Sequence, residues 1–233
     1  MTTIRIIDLE TTGIDPKDHR IIEVAAVDLH ENGEIVFVGS HLVNPGRDIP
    51  PDASAVHHII AADLATAPQI GAVWANYFGA GQPTVLAAHN AEFESGYVPA
   101  PQGGNWICTY KAALRAWPDA PGHGNQVLRY WRGLDGMNGF DRSFASLAHR
   151  AGPDAYVTAW LLRELLKVAS VDQMIAWTSE PKVYPKITFG KHRGSLWKDI
   201  PADYLQWLRD GQHQMESDWR HGAKIELARR GLR

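Results

Sequence analysis

Apolar positions along this chain follow two rhythms. Compact runs rich in β-branched residues, such as Ile4-Arg5-Ile6-Ile7 and Thr84-Val85-Leu86-Ala87-Ala88, predict strands near 4–9, 21–29, 34–43 and 84–88, with another near 105–109. Short turns join the first three, and Asp28 to Gly33 carries a hairpin signal. Elsewhere the pattern predicts helices near 52–60, 68–79, 91–97, 110–116, 124–132, 143–149 and 153–168. Segment 170–186, with Pro181 and Pro185, reads as a helix and linker. Beyond it the pattern predicts a short hairpin through Phe189-Gly190 and Arg193-Gly194, then helices near 201–210 and 216–230. The class is α/β: a mixed sheet flanked by helices, followed by a small α+β C-terminal module.

Three short clusters change the picture from fold to chemistry. In the first, Asp8 and Glu10 close a strand that Thr11-Thr12-Gly13 breaks. Side chains alternate faces along a strand, so the two carboxylates point the same way at its C-terminal end. The second is His89-Asn90-Ala91-Glu92-Phe93-Glu94, at the start of a predicted helix. Asn90 and Glu94 share one helical face and Glu92 another, and Asn90 also suits a helix N-cap. The third is His149-Arg150-Ala151-Gly152-Pro153-Asp154. Proline favours the first helical turn, which predicts a helix starting at Pro153, Asp154 near its positive dipole end and His149 on the loop before it. Carboxylates and a few waters are what magnesium takes as ligands, and a histidine titrates where it can accept a proton from water.

In this order and spacing, Asp8-x-Glu10-Thr11-Thr12-Gly13, His89-Asn90-x-x-Phe93-acid and His149-x4-Asp154 resemble the three motifs of the DEDDh group, the proofreading-type 3′→5′ exonucleases. The likeness covers residues 1–170. Segment Ala53 to Ile59, with His57, resembles that family's short helix lining the 3′-nucleotide pocket. Further stretches, from Trp106 to Lys111, Leu114 to Pro118, Phe189 to Gly194 and Tyr204 to Leu208, resemble the exonuclease X branch, which has a small extra C-terminal segment.

The resemblance implies an RNase H-like fold and metal-dependent release of nucleoside 5′-monophosphates from DNA 3′ ends. It implies two Mg2+ per site, with Mn2+ able to substitute, held by Asp8, Glu10, Glu94 and Asp154. His149 would be the proton acceptor, and Leu9, Thr11, Thr12, His57, Asn90 and Phe93 would bind the terminal nucleotides. One position departs from the family: Glu94 stands where aspartate is expected, adding one methylene, about 1.5 Å of reach. The same chemistry on RNA, a catalytically weakened module that only binds DNA ends, and an interaction subunit of a polymerase stay open as alternatives.

Net charge is -3, unpromising for a partner of DNA until it is divided. Residues 1–180 carry 12 Lys+Arg against 20 Asp+Glu, whereas residues 181–233 carry 11 against 6. The expected division is an exonuclease domain over 1–170, a linker over 171–186 and a basic, DNA-binding module over 187–233. Lys186, Lys191 and Arg193 are its expected phosphate contacts. A single cysteine, Cys108, excludes an intrachain disulfide and suits a reducing compartment. No apolar stretch is long enough to span a membrane, and Met1-Thr2-Thr3 leads into the first strand, so a cytoplasmic protein without a secretory leader is expected. DNA is the expected partner, and a homo-oligomer is left open.

Overall fold

The computed structural model describes residues 3–79, 83–98, 105–211 and 215–232. Its centre is a five-stranded sheet of order β3-β2-β1-β4-β5, built from β1 (Thr3–Thr11), β2 (Ile21–His30), β3 (Ile35–Leu42), β4 (Val85–Ala88) and β5 (Asn105–Cys108). β1 to β3 form an antiparallel meander, while β4 and β5 run parallel to β1. Short turns allow the first arrangement, and crossovers through helices supply the second. The result is the mixed, helix-flanked α/β sheet of an RNase H-like fold.

Alternation along β1 divides the core. Ile7 and Leu9 pack with Val24, Ala26, Val73 and Tyr77 on the face covered by α2 (Ile70–Phe78). Ile4 and Ile6 pack on the other face with α6 (Ala151–Leu165) and α4 (Thr109–Ala116). Asp8 and Glu10 share the parity of Ile4 and Ile6, so they continue the α6 face to the strand's C-terminal end. All of α6 except Asp154 and Arg163 is buried, as expected for a helix packed between the sheet and other helices. α5 (Asn125–Trp131) packs on α6, Phe93 and Tyr97 of α3 (Ala91–Tyr97) pack with the α2 face, and α1 (Pro51–His57) follows β3 in the chain.

Three local expectations change. Over 143–149 there is one 3-10 turn, Phe144–Ser146, because the Asp141 carboxylate takes the N–H groups of Ser143 and Phe144. α6 begins at Ala151, two residues before Pro153, because Glu23 of β2 accepts the Ala151 N–H. The C-terminal hairpin reduces to a single Lys186–Leu196 bridge around a 3-10 turn, Gly190–His192.

Within the segment read as linker, α7 (Val171–Ser179) packs on β5 and α4. The Lys111 ammonium holds the carbonyls of Thr178 and Glu180, and Arg115 pairs with Glu180 at 2.6 Å. The C-terminal segment has its own core of Ile187, Trp197, Ile200, Leu205, Leu208, Trp219, Ala223 and Leu227. It forms between α8 (Ala202–Asp210) and α9 (Ser217–Arg229). A Cβ on Gly222 would meet the Trp197 ring at 2.4 Å, so only glycine lets α9 approach. No described helix is long and apolar enough to cross a membrane.

Candidate active site

Three segments distant in sequence meet at the end of β1. Carboxylate oxygens of Asp8, Glu10 and Asp154 lie within 4.8 Å of one another, the one such acidic group among the described residues. β1 supplies the first two by alternation, and just past them its pairing with β2 shifts register between Glu10 and Thr11. Asp154 comes from the first turn of α6, where the helix dipole favours a carboxylate. Gln126 donates to its Oδ1 at 3.0 Å and the His149 backbone N–H to its Oδ2 at 2.7 Å.

Glu94 lies outside that group of three but faces it. It is 4 % exposed, and its Oε2 has no partner among the described residues. Glu92, two positions earlier, is exposed to solvent. Burial, with the charges of Asp154, Glu94 and Glu10, holds Asp8 well above the usual carboxylate range. Burial pushes Glu10 and Glu94 each up to about 8, and raises Asp154 against the pull of its two hydrogen bonds. Four carboxyl groups crowded out of water must either stay partly protonated or share a cation. The donor set is all oxygen, and the orphaned Glu94 oxygen faces the same space, so the residues fit a hard divalent ion.

His149 sits at the rim, exposed, with φ +60. That left-handed backbone is rare for a residue with a Cβ, and it persists here because the Asp154 carboxylate holds the His149 N–H. The imidazole is therefore tied to the acid cluster through its own backbone.

The expected substrate-binding residues divide by what the fold leaves available. Leu9 is buried in the core on the sheet's other face, so its backbone rather than its side chain borders the acids. Thr11 and Thr12 are buried, their hydroxyls tied to the Gly13 carbonyl, the Arg20 N–H and the His19 ring. His57 is 2 % exposed, and burial lowers its pKa. Its Nδ1 accepts the Ile59 N–H at 3.0 Å, so the neutral ring carries its proton on Nε2, which has no described partner. Asn90 is exposed at the N-cap position of α3 without a capping hydrogen bond, and Phe93 is half-buried beside Tyr97. Lys186, Lys191 and Arg193 are exposed on the C-terminal module rather than among the acids.

Sequence reasoning missed Glu23 and Arg150. Glu23 pairs directly with Glu10 in the β1–β2 register, which places both on the face of the acids. Its carboxylate is filled by Arg150 at 2.9 Å, the Ala151 N–H at 3.1 Å and the Ser40 hydroxyl at 3.1 Å. Saturated in this way, Glu23 anchors the start of α6 instead of adding to the open acids. The available signal was one charge inside the apolar run Ile21 to Val27.

The family model described as Exonuclease matches residues 6–101. Exodeoxyribonuclease 10 of Escherichia coli (strain K12) is 36% identical over 224 residues, spanning 93% of this chain and 95% of that protein. DNA polymerase III subunit epsilon of Treponema pallidum (strain Nichols) is 33% identical over 171 residues, 68% of this chain and 74% of that protein. The solved structure of exonuclease X in complex with 5′ overhanging duplex DNA matches with a TM-score of 0.61 and 35% identity. It covers 76% of this chain, and 99% of the solved chain is covered in return.

Proposed function

The chain belongs to the DEDDh family of 3′→5′ exonucleases, related to exodeoxyribonuclease 10, and from that premise we propose which of its residues carry the reaction. It is a metal-dependent 3′→5′ DNA exonuclease, a hydrolase of phosphodiester bonds, consistent with a DNA-repair-type activity. The observation that carries the residue assignment is the meeting of Asp8, Glu10 and Asp154 at the end of β1, with His149 tied to Asp154.

In this reading Asp8, Glu10 and Asp154, assisted by Glu94, would hold Mg2+, two ions per site, with Mn2+ able to substitute. Bound there, the metal would supply acidification of water and charge neutralisation at the phosphodiester. His149, exposed and anchored, accepts the proton of the attacking water. The new bond joins that oxygen to phosphorus, the bond to the 3′-oxygen of the preceding nucleotide breaks, and a nucleoside 5′-monophosphate leaves. Phe93 and Asn90 meet the terminal nucleotides, the free Nε2–H of His57 donates to them, and Leu9, Thr11 and Thr12 shape the strand end beneath. Residues 1–170 form the catalytic domain, and 187–233 a basic module whose Lys191 and Arg193, with Lys186 at the end of the linker, hold phosphates. A single cysteine fits a cytoplasmic setting.

The test is digestion of linear DNA, closed circular DNA and matched RNA, with Mg2+ or with EDTA, followed by chromatography of the products. The reading expects 5′-mononucleotides from linear DNA, none from the closed circle, and none in EDTA. Oligonucleotide products from the circle would overturn it, and faster hydrolysis of RNA would shift the substrate to RNA.

A further inference from the structure

The C-terminal module leaves the Trp207 ring uncovered beside Tyr204, whose own ring packs partly on the module's core. In α8, Leu205 and Leu208 are fully buried against Ile187, Ile200 and Trp219. Tyr204 and Trp207 precede them by one residue each and lie three apart, so they stack along the adjoining face. Trp207 is 53% exposed and Tyr204 half-buried; their rings are 5.2 Å apart and inclined by only 33°.

A basic turn closes over Tyr204 and leaves Trp207 open. The Lys191 ammonium lies 5.1 Å from the centre of the Tyr204 ring, and the His192 ring 4.5 Å from it. Gly190 has φ +62, and a Cβ there would stand 3.0 Å from the Tyr204 hydroxyl, so glycine lets the turn seat on the ring. Arg193, which caps this turn, and Lys186, at the bridge to Leu196, are exposed. The nearby acids are Asp199 and Asp203, both exposed, and Asp210, which Arg209 pairs at 2.6 Å. The segment as a whole keeps its excess of 11 Lys+Arg over 6 Asp+Glu.

We propose that the Tyr204–Trp207 pair under Lys191 is a second nucleic-acid site, one that stacks the bases of single-stranded DNA. A module that only gripped phosphates would need cations alone. An exposed Trp207 ring, extended by Tyr204 and beside cations, matches unpaired bases on an anionic backbone, whereas a duplex hides its base faces inside the helix. The inference rests on the reading of this module as DNA-binding, and it adds the strand state and the mode of contact.

The test is fluorescence anisotropy of the full chain with a labelled oligothymidylate and with a blunt duplex of equal length, in EDTA so that nothing is cleaved. Trp207→Ala should weaken oligothymidylate binding about ten-fold or more, the scale of one lost stacked base. Duplex affinity and the salt slope should stay near the parent's, and Trp207→Phe should restore most of the loss. Lys191→Ala should instead flatten the salt slope by about 0.7 on single strands. Unchanged oligothymidylate affinity in Trp207→Ala, or equal loss on the duplex, would overturn the stacking site. Failure of the nuclease reading would leave these binding results intact. Failure of the module's DNA-binding reading would appear separately, as a salt slope unmoved by alanine at Lys186, Lys191 and Arg193 together.

Discussion

The acid cleft draws its carboxylates from β1, α3 and α6, whereas the basic face of the C-terminal module comes from one stretch, Lys186 to Trp207. In the cleft the charges are buried, crowded and shifted: Glu10 and Glu94 both stand near 8. Lys191 and Arg193 on the module and Lys186 just before it are exposed, the first two at a single 3-10 turn. Buried like charges store repulsion that a multivalent cation relieves, so they suit chemistry. Exposed cations in high dielectric contribute a graded, salt-screened hold, which suits gripping a polymer.

Removing the cleft's central acid should break the comparison most severely. Asp8→Ala is expected to abolish both Mn2+ binding, measured by calorimetry, and nuclease activity; retention of either would place the ions elsewhere. His149→Ala should cut turnover by about 10²–10⁴-fold while Mn2+ binding stays close to the parent's. Equal turnover across pH 6 to 9 would remove His149 as proton acceptor. Glu94→Ala should lose most activity and the exposed Glu92→Ala little; the reverse ranking would move the fourth acid to Glu92.

Stability should register the same crowding. Glu10 and Glu94 stand near 8 when folded, against an ordinary value of 4.5. Their folded pKa values are raised, so the protonated forms favour folding. That contribution is complete below about 4.5 and is lost as pH rises through 8. The metal-free protein should therefore melt at a lower temperature at pH 8.5 than at pH 5, with Mg2+ removing most of the difference and Glu10→Gln flattening it. The smallest effect belongs to the module: each of Lys186, Lys191 and Arg193 changed to Ala should flatten the salt slope of duplex binding by about 0.9.

The two regions also differ in how far they can be read from sequence. Alternation in Ile4 to Glu10 places both β1 acids on one face, and the strand positions along β1 to β5 follow from apolar runs. Helical phase separates the buried Glu94 from the exposed Glu92. The start of α6 was not legible, because the group that accepts its first N–H is Glu23, 128 residues away in the chain. The left-handed His149 was hidden for a different reason: its backbone is held by the Asp154 side chain five residues on, not by a turn signal such as glycine. In the C-terminal module, Phe189-Gly190 and Arg193-Gly194 suggested a hairpin. Those glycines serve a tight 3-10 turn, and Gly190 seats it on the Tyr204 ring. Local propensity records which residues bend; what they bend around is tertiary.

The most direct measurement of the central claim is a time course on a 5′-labelled single strand of DNA, with Mg2+ and with EDTA, for the parent and Asp8→Ala. The account predicts a ladder of labelled strands shortening one nucleotide at a time from the 3′ end in the parent with Mg2+. It predicts an intact strand in EDTA and in Asp8→Ala. Immediate release of a labelled mononucleotide, internal fragments without a ladder, or a ladder that persists in EDTA would contradict it.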